Sequence, residues 1–150
     1  MAELEDFPAD EIGAIVFLDD FSGTGETLTD WWTNVEMLVR PKQAPLVVAL
    51  LVLSGSARES IEEFSNIVIA VEELTENDNV LSEGSNILSI QEKESVLGYC
   101  QRTGCEEAFC RGYGNSGLLM AFRHGCPDNS LPILWHDSDE WQSLFRRRAV

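Results

Sequence analysis

Residues 12–28 read IGAIVFLDDFSGTGETL, and this stretch decides the fold. Its first part, residues 12–18, is a continuous apolar run rich in β-branched side chains, which predicts a strand buried on both faces of a parallel sheet. The run ends at Asp19 and Asp20, and a short segment of small residues follows. Beyond that segment, apolar side chains recur at helical spacing as far as Val39. The order is therefore strand, loop, helix.

The same plan repeats further along the chain. Residues 45–53 (PLVVALLVL) form a second apolar run, residues 56–65 favour a helix opened by a small polar residue, and residues 66–74 predict a third strand. Strands that alternate with helices are typical of right-handed βαβ crossovers. The predicted fold class is therefore α/β, with a parallel sheet flanked by helices.

The rest of the chain gives a weaker pattern. Residues 75–86 are polar and acidic and predict an exposed connection, after which residues 91–103 favour a helix. Two more short strands are predicted at residues 117–122 and 131–135, joined by a turn-rich segment. The length suits one domain, so we expect an N-terminal tail at residues 1–11 and a single domain at residues 12–150.

The segment between the first strand and the first helix has the composition of a phosphate-binding loop. Gly23 and Gly25 are expected to take positive φ and let a ligand approach the main chain, while the Thr24 and Thr27 hydroxyls add donors. Main-chain N–H groups at the start of a helix, together with its dipole, attract an anion. The predicted phosphate loop consists of Ser22, Gly23, Thr24, Gly25, Glu26 and Thr27.

Asp19 and Asp20 lie at the carboxyl end of the predicted strand, where open α/β sheets bind their ligands. Their carboxylates are suited to accept hydrogen bonds from vicinal hydroxyls or to hold Mg²⁺. A ribose 5-phosphate satisfies both the acidic pair and the loop. The alternative is structural, because a Gly-Thr-Gly segment after a strand also forms a tight turn that only leads into a helix.

The stretch from Ile15 to Leu28 resembles the phosphoribosyltransferase signature, an apolar strand followed by two acidic residues, a few variable residues and Thr-Gly-x-Thr. The resemblance implies a phosphoribosyltransferase-like sheet in which Asp19 and Asp20 bind the ribose hydroxyls, directly or through Mg²⁺. It also implies that residues 23–27 surround the 5-phosphate of phosphoribosyl pyrophosphate. In a catalytic member, pyrophosphate would be displaced from C1 of the ribose.

The chain departs from this family pattern in two ways. Gly23 stands where several members that act on 6-oxopurines carry an aspartate base, so the acceptor stays open. The pyrophosphate loop and the flexible catalytic loop of the family lie upstream of this strand, and eleven residues precede Ile12. Two hypotheses follow: a C-terminal portion of a longer or split transferase that lacks the usual N-terminal elements, or a non-catalytic module for nucleotide sensing or protein interaction.

A second resemblance involves the C-terminal part of the chain. Residues 112–116, 120–122 and 126–135 are similar to the ending of phosphoribosyltransferase-like domains associated with bacterial conflict systems. This resemblance implies a role in antiviral or inter-bacterial defence. The partner protein would then belong to a defence module.

Composition argues against several other classes of function. The chain has 26 acidic and 10 basic side chains and a formal net charge of −16, which disfavours direct binding to nucleic acids and to anionic membranes. The longest apolar run is too short to span a bilayer. The acidic N-terminus does not resemble a secretory signal, and we expect reduced cysteines in a cytoplasmic protein.

A cluster of soft ligands near the C-terminus leaves a second kind of site open. The side chains concerned are Cys100, Cys105, Cys110, His124 and Cys126. Their spacing matches no Cys-x2-Cys zinc pattern, so cysteines buried as small apolar residues are the favoured interpretation. Zinc binding is the alternative.

Overall fold

The computed structural model describes residue 4 and residues 6–145. They form two compact units, Met1–Leu74 and Thr75–Val150. Residues 1–3 and 5 of the predicted N-terminal tail lie outside the described residues, and the boundary at residue 12 stays a prediction. Within the described residues, no helix is both long enough and apolar enough to cross a membrane.

The first unit contains a three-stranded parallel sheet in the order β1-β2-β3. Its elements are β1 (Ile15–Ser22), α1 (Glu26–Val39), β2 (Leu46–Ser54), α2 (Gly55–Glu62) and β3 (Ile67–Leu74). In the register, Ile15 lies opposite Leu46 and Val47 lies opposite Ile67. The predicted α/β class, with a parallel sheet and flanking helices, is confirmed.

Both helices pack on the same face of the sheet. Leu28 of α1 and Ile61 of α2 are buried in one cluster with Val48, Leu50 and Leu53 of the central strand. A second cluster forms where Trp32, Val35, Val39 and Leu46 meet, and the Trp32 ring stacks on Phe64 with 5.3 Å between centroids. Burial of these large side chains supplies the main stabilising free energy of the unit.

The opposite face of the sheet carries apolar side chains that remain exposed. Their exposed fractions lie between 49% and 78%. This open face consists of Val16, Leu18, Leu51, Ile67, Ile69 and Val71. The first strand was predicted to be buried on both faces, and that expectation is wrong, because α1 and α2 both cover one side only.

The boundaries of β1 also differ from the prediction. The strand begins at Ile15, and it continues through Asp19 and Asp20 to Ser22, which pairs with Leu53. The extension has a physical cause: β2 runs beside β1 as far as Ser54, so main-chain pairing persists beyond the apolar run. The loop proper is therefore limited to three residues, Gly23–Gly25.

The second unit is built around the helix α3 (Ile90–Arg102). Its N-terminus has a capping box, in which the Ser89 N–H donates to Glu92 Oε2 at 2.8 Å and the Glu92 N–H donates back to Ser89 Oγ at 3.4 Å. A four-residue helix, α4 (Pro132–Trp135), follows near the C-terminus. Short 3-10 turns occur at Glu76–Asp78, Glu107–Phe109 and Tyr113–Asn115.

The two short strands predicted in this unit are wrong. Residues 117–122 contribute two isolated bridges, Leu118 with Ser130 and Phe122 with Gly125, instead of a strand. Pro132 explains why α4 replaces the second strand: it lacks the N–H that a β ladder needs, and its φ suits the first turn of a helix. The adjacent Leu131 is fully buried beside Val80 and Cys100.

The cysteines of the second unit should make stability depend on alkaline pH. Burial raises the pKa of the Cys100 thiol to about 11, and burial together with Cys105 raises that of Cys110 to about 11. The folded state therefore retains thiol protons that the unfolded chain releases near pH 9. The contribution of these thiols to the free energy of unfolding should be constant below pH 9, and the free energy of unfolding should fall between pH 9 and 11. Urea unfolding at pH 7, 9 and 10.5 measures this fall. Cys100→Ala should make the fall in the free energy of unfolding shallower. An unchanged fall would show that the Cys100 thiol is not one of the groups responsible.

Candidate functional site

The candidate site lies where β1 gives way to α1. Gly25 is the N-cap of α1 and adopts φ 83°, the left-handed conformation that favours glycine. Because glycine has no side chain to cap the helix, the first turn of α1 lacks the usual N-cap acceptor. The Thr24 hydroxyl lies near the Glu26 N–H at 3.4 Å, a long hydrogen bond. The predicted positive φ is thus found at Gly25, whereas Gly23 does not adopt it, so the prediction for Gly23 is wrong.

The bend at Gly25 is fixed by close packing against α2. A Cβ atom placed on Gly25 would lie 2.9 Å from the Ser60 Cβ and 3.3 Å from the Ala57 Cα. Gly25 is therefore buried, and only glycine meets both the conformational and the steric requirement. The helix of the neighbouring βα unit sets the path of the loop.

Two serine hydroxyls hold the loop from the same side. Ser54 Oγ and Ser56 Oγ both donate to the Gly23 carbonyl, the latter at 3.2 Å. Ser54 also caps α2, accepting a hydrogen bond from the Ala57 N–H at 3.1 Å. The sequence predicted a small polar residue at the start of this helix, but spacing alone could not show that it reaches a loop about thirty residues earlier in the chain.

The two aspartates contact each other in the second half of β1. Asp19 Oδ1 accepts a hydrogen bond from the Asp20 N–H at 2.8 Å. Burial raises the pKa of the Asp19 carboxyl above its ordinary value, and the neighbouring Asp20 carboxyl adds to the rise through its hydrogen bond and charge. A partly desolvated carboxyl next to a second one is a costly arrangement in the absence of a cation or a donor.

The residues predicted for the phosphate loop differ in accessibility. Ser22 and Gly25 are buried, Gly23 and Thr24 are half-buried, and the first residues of α1, Glu26 and Thr27, are exposed. Any ligand would therefore meet the main chain of the bend and the exposed first turn of α1. Binding of phosphate by this loop stays a prediction.

Asp19 and Asp20 are the residues of the candidate site that could hold a divalent cation. Among residues 4 and 6–145, no group of three or more His, Cys, Asp or Glu side chains is arranged to hold a metal ion. Mg²⁺ usually takes one or two carboxylates and completes its shell with water and substrate phosphate oxygens. Asp19 and Asp20 would supply these one or two carboxylates.

The soft ligands of the second unit are only partly brought together. Cys105 Sγ and Cys110 Sγ lie 3.4 Å apart, whereas Cys126 donates to the Met120 carbonyl at 3.2 Å. The His124 ring stacks on Phe122, with 5.5 Å between centroids. No three of these described side chains are grouped to hold a metal ion, so the geometry does not support zinc binding by the full set.

The C-terminal residues that carried the second resemblance form an interlocked structural element. Ser116 Oγ hydrogen-bonds with the Tyr113 carbonyl at 2.6 Å and the Asn129 carbonyl at 2.7 Å, and Asn129 Nδ2 donates to the Tyr113 carbonyl at 3.1 Å. A Cβ on Gly112 would lie 2.1 Å from the Asn129 oxygen. The stretches 112–116 and 126–135 therefore specify each other's conformation.

Comparison with known families agrees with this fold and this sequence pattern. The family model PRTase-CE matches residues 1–147, nearly the whole chain. The fold is that of a phosphoribosyltransferase-like α/β domain. The chain belongs to the PRTase-CE family. No curated protein and no solved structure gave a significant match.

Replacement of Gly25 tests the packing of the bend. We expect Gly25→Ala to destabilise the protein by about 2–4 kcal/mol, because it adds a left-handed alanine and a contact with Ser60 that packing does not accommodate. Urea unfolding gives the difference. Gly13→Ala is the matched control, since a Cβ there meets no atom within 4 Å. Equal effects of the two substitutions would refute the packing argument.

Proposed function

We propose that this domain binds phosphoribosyl pyrophosphate, or a related ribose 5-phosphate, together with Mg²⁺. The observation that carries the proposal is the contiguity of an acidic pair with a glycine bend, at the carboxyl end of β1 and at the start of a fourteen-residue helix. Neither the ligand nor the metal follows from family membership alone. The support comes from the chemistry that each half of the site offers.

The phosphate half of the proposal rests on α1. Its exposed first turn at Glu26 and Thr27 follows a cap residue without a side chain, so N–H groups and the positive end of the helix dipole are directed toward the bend. Ser54, which caps α2, and Ser56 of α2 both donate to the Gly23 carbonyl. Because the Gly23 carbonyl is held by these hydrogen bonds, the loop is preorganised to bind an anion.

The ribose half rests on Asp19 and Asp20. Vicinal hydroxyls would donate to the carboxylates, and Mg²⁺ would offset the repulsion that raises the Asp19 pKa. Charge makes the cation necessary, because a sugar that carries three phosphate groups otherwise approaches a protein of net charge −16.

Binding without turnover is the second candidate function, and the distribution of cations favours it. The first unit has three basic side chains, Arg40, Lys42 and Arg58. Arg58 is held by Glu62 at 2.9 Å and by Glu73, and the other two follow the C-terminal end of α1. A leaving pyrophosphate would find few protein charges there. Release of pyrophosphate from the bound ligand, followed over hours, separates a transferase from a sensing module.

We extend the proposal to the cellular role. Membership in PRTase-CE, together with the resemblance of the C-terminal stretch to conflict-system domains, supports action in a cytoplasmic bacterial defence module alongside a partner protein.

Calorimetry with phosphoribosyl pyrophosphate tests the binding proposal directly. We expect binding in the presence of Mg²⁺ and a loss of at least roughly tenfold in affinity when EDTA replaces the metal. Asp20→Asn should weaken binding by a similar factor. Asp10→Asn makes the same chemical change on an exposed residue before β1, and should leave affinity unchanged. Absence of binding by the wild-type protein, or equal affinities for all three proteins, would sink the proposal.

Asp19→Asn should separate ligand binding from stability. The substitution removes a carboxylate whose charged form is disfavoured by burial, while the amide oxygen still accepts from the Asp20 N–H. We therefore expect the variant to be at least as stable as the wild type in urea, yet to bind phosphoribosyl pyrophosphate and Mg²⁺ more weakly. A destabilised variant, or one with intact affinity, would show that Asp19 has a purely structural role.

A further inference from the structure

Two thiol groups of the second unit lie side by side just beyond the C-terminal end of α3. The Sγ atoms of Cys105 and Cys110 are 3.4 Å apart, and both thiols are free and half-buried. A disulfide bond needs a separation of about 2.05 Å, so the two sulfur atoms have to approach each other by roughly 1.4 Å. The ligand site proposed for the first unit uses neither of them.

Local hydrogen bonds bring the two cysteines together. Thr103 follows α3 as its C-cap, and its hydroxyl accepts the Cys105 N–H at 3.3 Å. Gly104 adopts φ 75° and turns the chain away from the helix axis. The 3-10 turn Glu107–Phe109 comes next, and the Cys110 N–H donates to the first carbonyl of that turn at 3.2 Å. All of these residues belong to the second unit, so its own local structure sets the contact between the thiols.

This pair is more accessible than the other two cysteines of the chain. Cys100 and Cys126 are buried, with 0% and 4% of their surface exposed. Cys105 and Cys110 are half-buried, and residues 106–108 between them are exposed. Cysteines that are fully buried in apolar surroundings are commonly inert, because a reagent must reach the sulfur atom. Of the four cysteines, Cys105 and Cys110 are therefore suited to react with a small molecule and with each other.

We propose that Cys105 and Cys110 form a thiol–disulfide exchange site, which a low-molecular-weight disulfide such as glutathione disulfide oxidises reversibly. The Cys105 thiolate attacks one sulfur atom of the small disulfide, forms a mixed disulfide and releases one small thiol. Cys110 then attacks the Cys105 sulfur, the Cys105–Cys110 bond forms, and the second small thiol leaves with the Cys110 proton. The two protein thiols thus lose two electrons and two protons, and the small disulfide gains them as it becomes two thiols.

The order of the two attacks follows from the surroundings of Cys110. Burial, and after it the neighbouring Cys105 sulfur, raise the pKa of the Cys110 thiol to about 11, so this thiol keeps its proton at neutral pH. The first attack therefore falls to Cys105. In the mixed disulfide the Cys105 sulfur can no longer carry a charge. The part of the rise in pKa that Cys105 causes then disappears, and Cys110 becomes the attacking group.

The disulfide would constrain the connection between α3 and the interlocked C-terminal element. It closes a ring of six residues, Cys105 to Cys110, which contains the 3-10 turn Glu107–Phe109. The Phe109 ring packs on Tyr113 with 5.8 Å between centroids, and edge-on against Trp135 with 5.9 Å. Closing the ring lowers the conformational entropy of the unfolded chain. We therefore expect the oxidised protein to unfold at a higher urea concentration than the reduced protein.

A redox titration of the full chain tests the proposal. The protein is equilibrated with mixtures of glutathione and glutathione disulfide, quenched with acid, unfolded, alkylated with N-ethylmaleimide and digested with trypsin. Cleavage after Arg102 and Arg111 gives the peptide 103–111, which contains Cys105 and Cys110 and no other cysteine. In excess glutathione disulfide, we expect this peptide to carry no alkyl group and to be two hydrogen atoms lighter than the dithiol. The other cysteines, in separate peptides, should remain thiols and be alkylated.

The same titration in concentrated urea shows whether the fold preorganises the pair. We expect half-oxidation of the folded protein at a ratio of squared glutathione concentration to glutathione disulfide that is at least roughly tenfold higher than in urea. Cys110→Ser should stop at the mixed disulfide between Cys105 and glutathione. Cys126→Ser, the matched control, removes a thiol outside the pair and should form the disulfide as the wild type does.

The wild-type titration decides the question even where a variant does not fold. A peptide 103–111 that stays doubly alkylated in excess glutathione disulfide overturns the proposal. Half-oxidation at the same ratio in the folded and the urea-unfolded protein overturns it as well, because the native contact between the thiols would then have no effect. A disulfide that joins Cys105 or Cys110 to Cys100 or Cys126 instead has the same consequence.

Discussion

The packing of α2 against the bend at Gly25 is the constraint on which the candidate site depends. The bend leaves no room for a side chain between itself and α2, because a Cβ on Gly25 would be 2.9 Å from the Ser60 Cβ. It is also tied to α2, because Ser54 and Ser56 donate to the Gly23 carbonyl. Contact from one βα unit thus holds the loop of the preceding unit, and the parallel register of β1 and β2 sets the distance between them. The path of this three-residue loop is therefore set by contacts that lie outside its own sequence.

Much of the first unit could be predicted because its strands and helices follow local rules. Apolar runs located all three strands, and helical spacing located α1 to within two residues of its observed start at Glu26. Local rules failed where the outcome depends on partners distant in sequence. Pairing with β2 extends β1 through Asp19 to Ser22, and Pro132 opens a helix within a stretch whose apolar residues suggested a strand. The contacts of Ser54 and Ser56 with the loop could not be predicted for the same reason, because Gly23 is distant from both in sequence.

The acidic pair shows how a binding site opposes stability. Burial disfavours the Asp19 charge, and a second carboxyl in contact with it increases the cost. An arrangement selected for stability alone would replace one of the two by a neutral side chain. The same features that make the pair unfavourable in the empty protein would favour a divalent cation and hydroxyl donors. The physical argument for a ligand here therefore comes from the electrostatic cost as much as from the family pattern.

The two faces of the sheet place different demands on the sequence of each strand. On the face that carries the helices, Val48 and Leu50 alternate with side chains of the other face in the regular period of two. On the open face, the positions of Leu18 and Val71 are as apolar as those of the core, and their side chains are exposed. A strand that faced water on one side would tolerate polar residues at these positions. The two faces of the sheet are therefore alike in side-chain chemistry in all three strands, although α1 and α2 pack on one of them only.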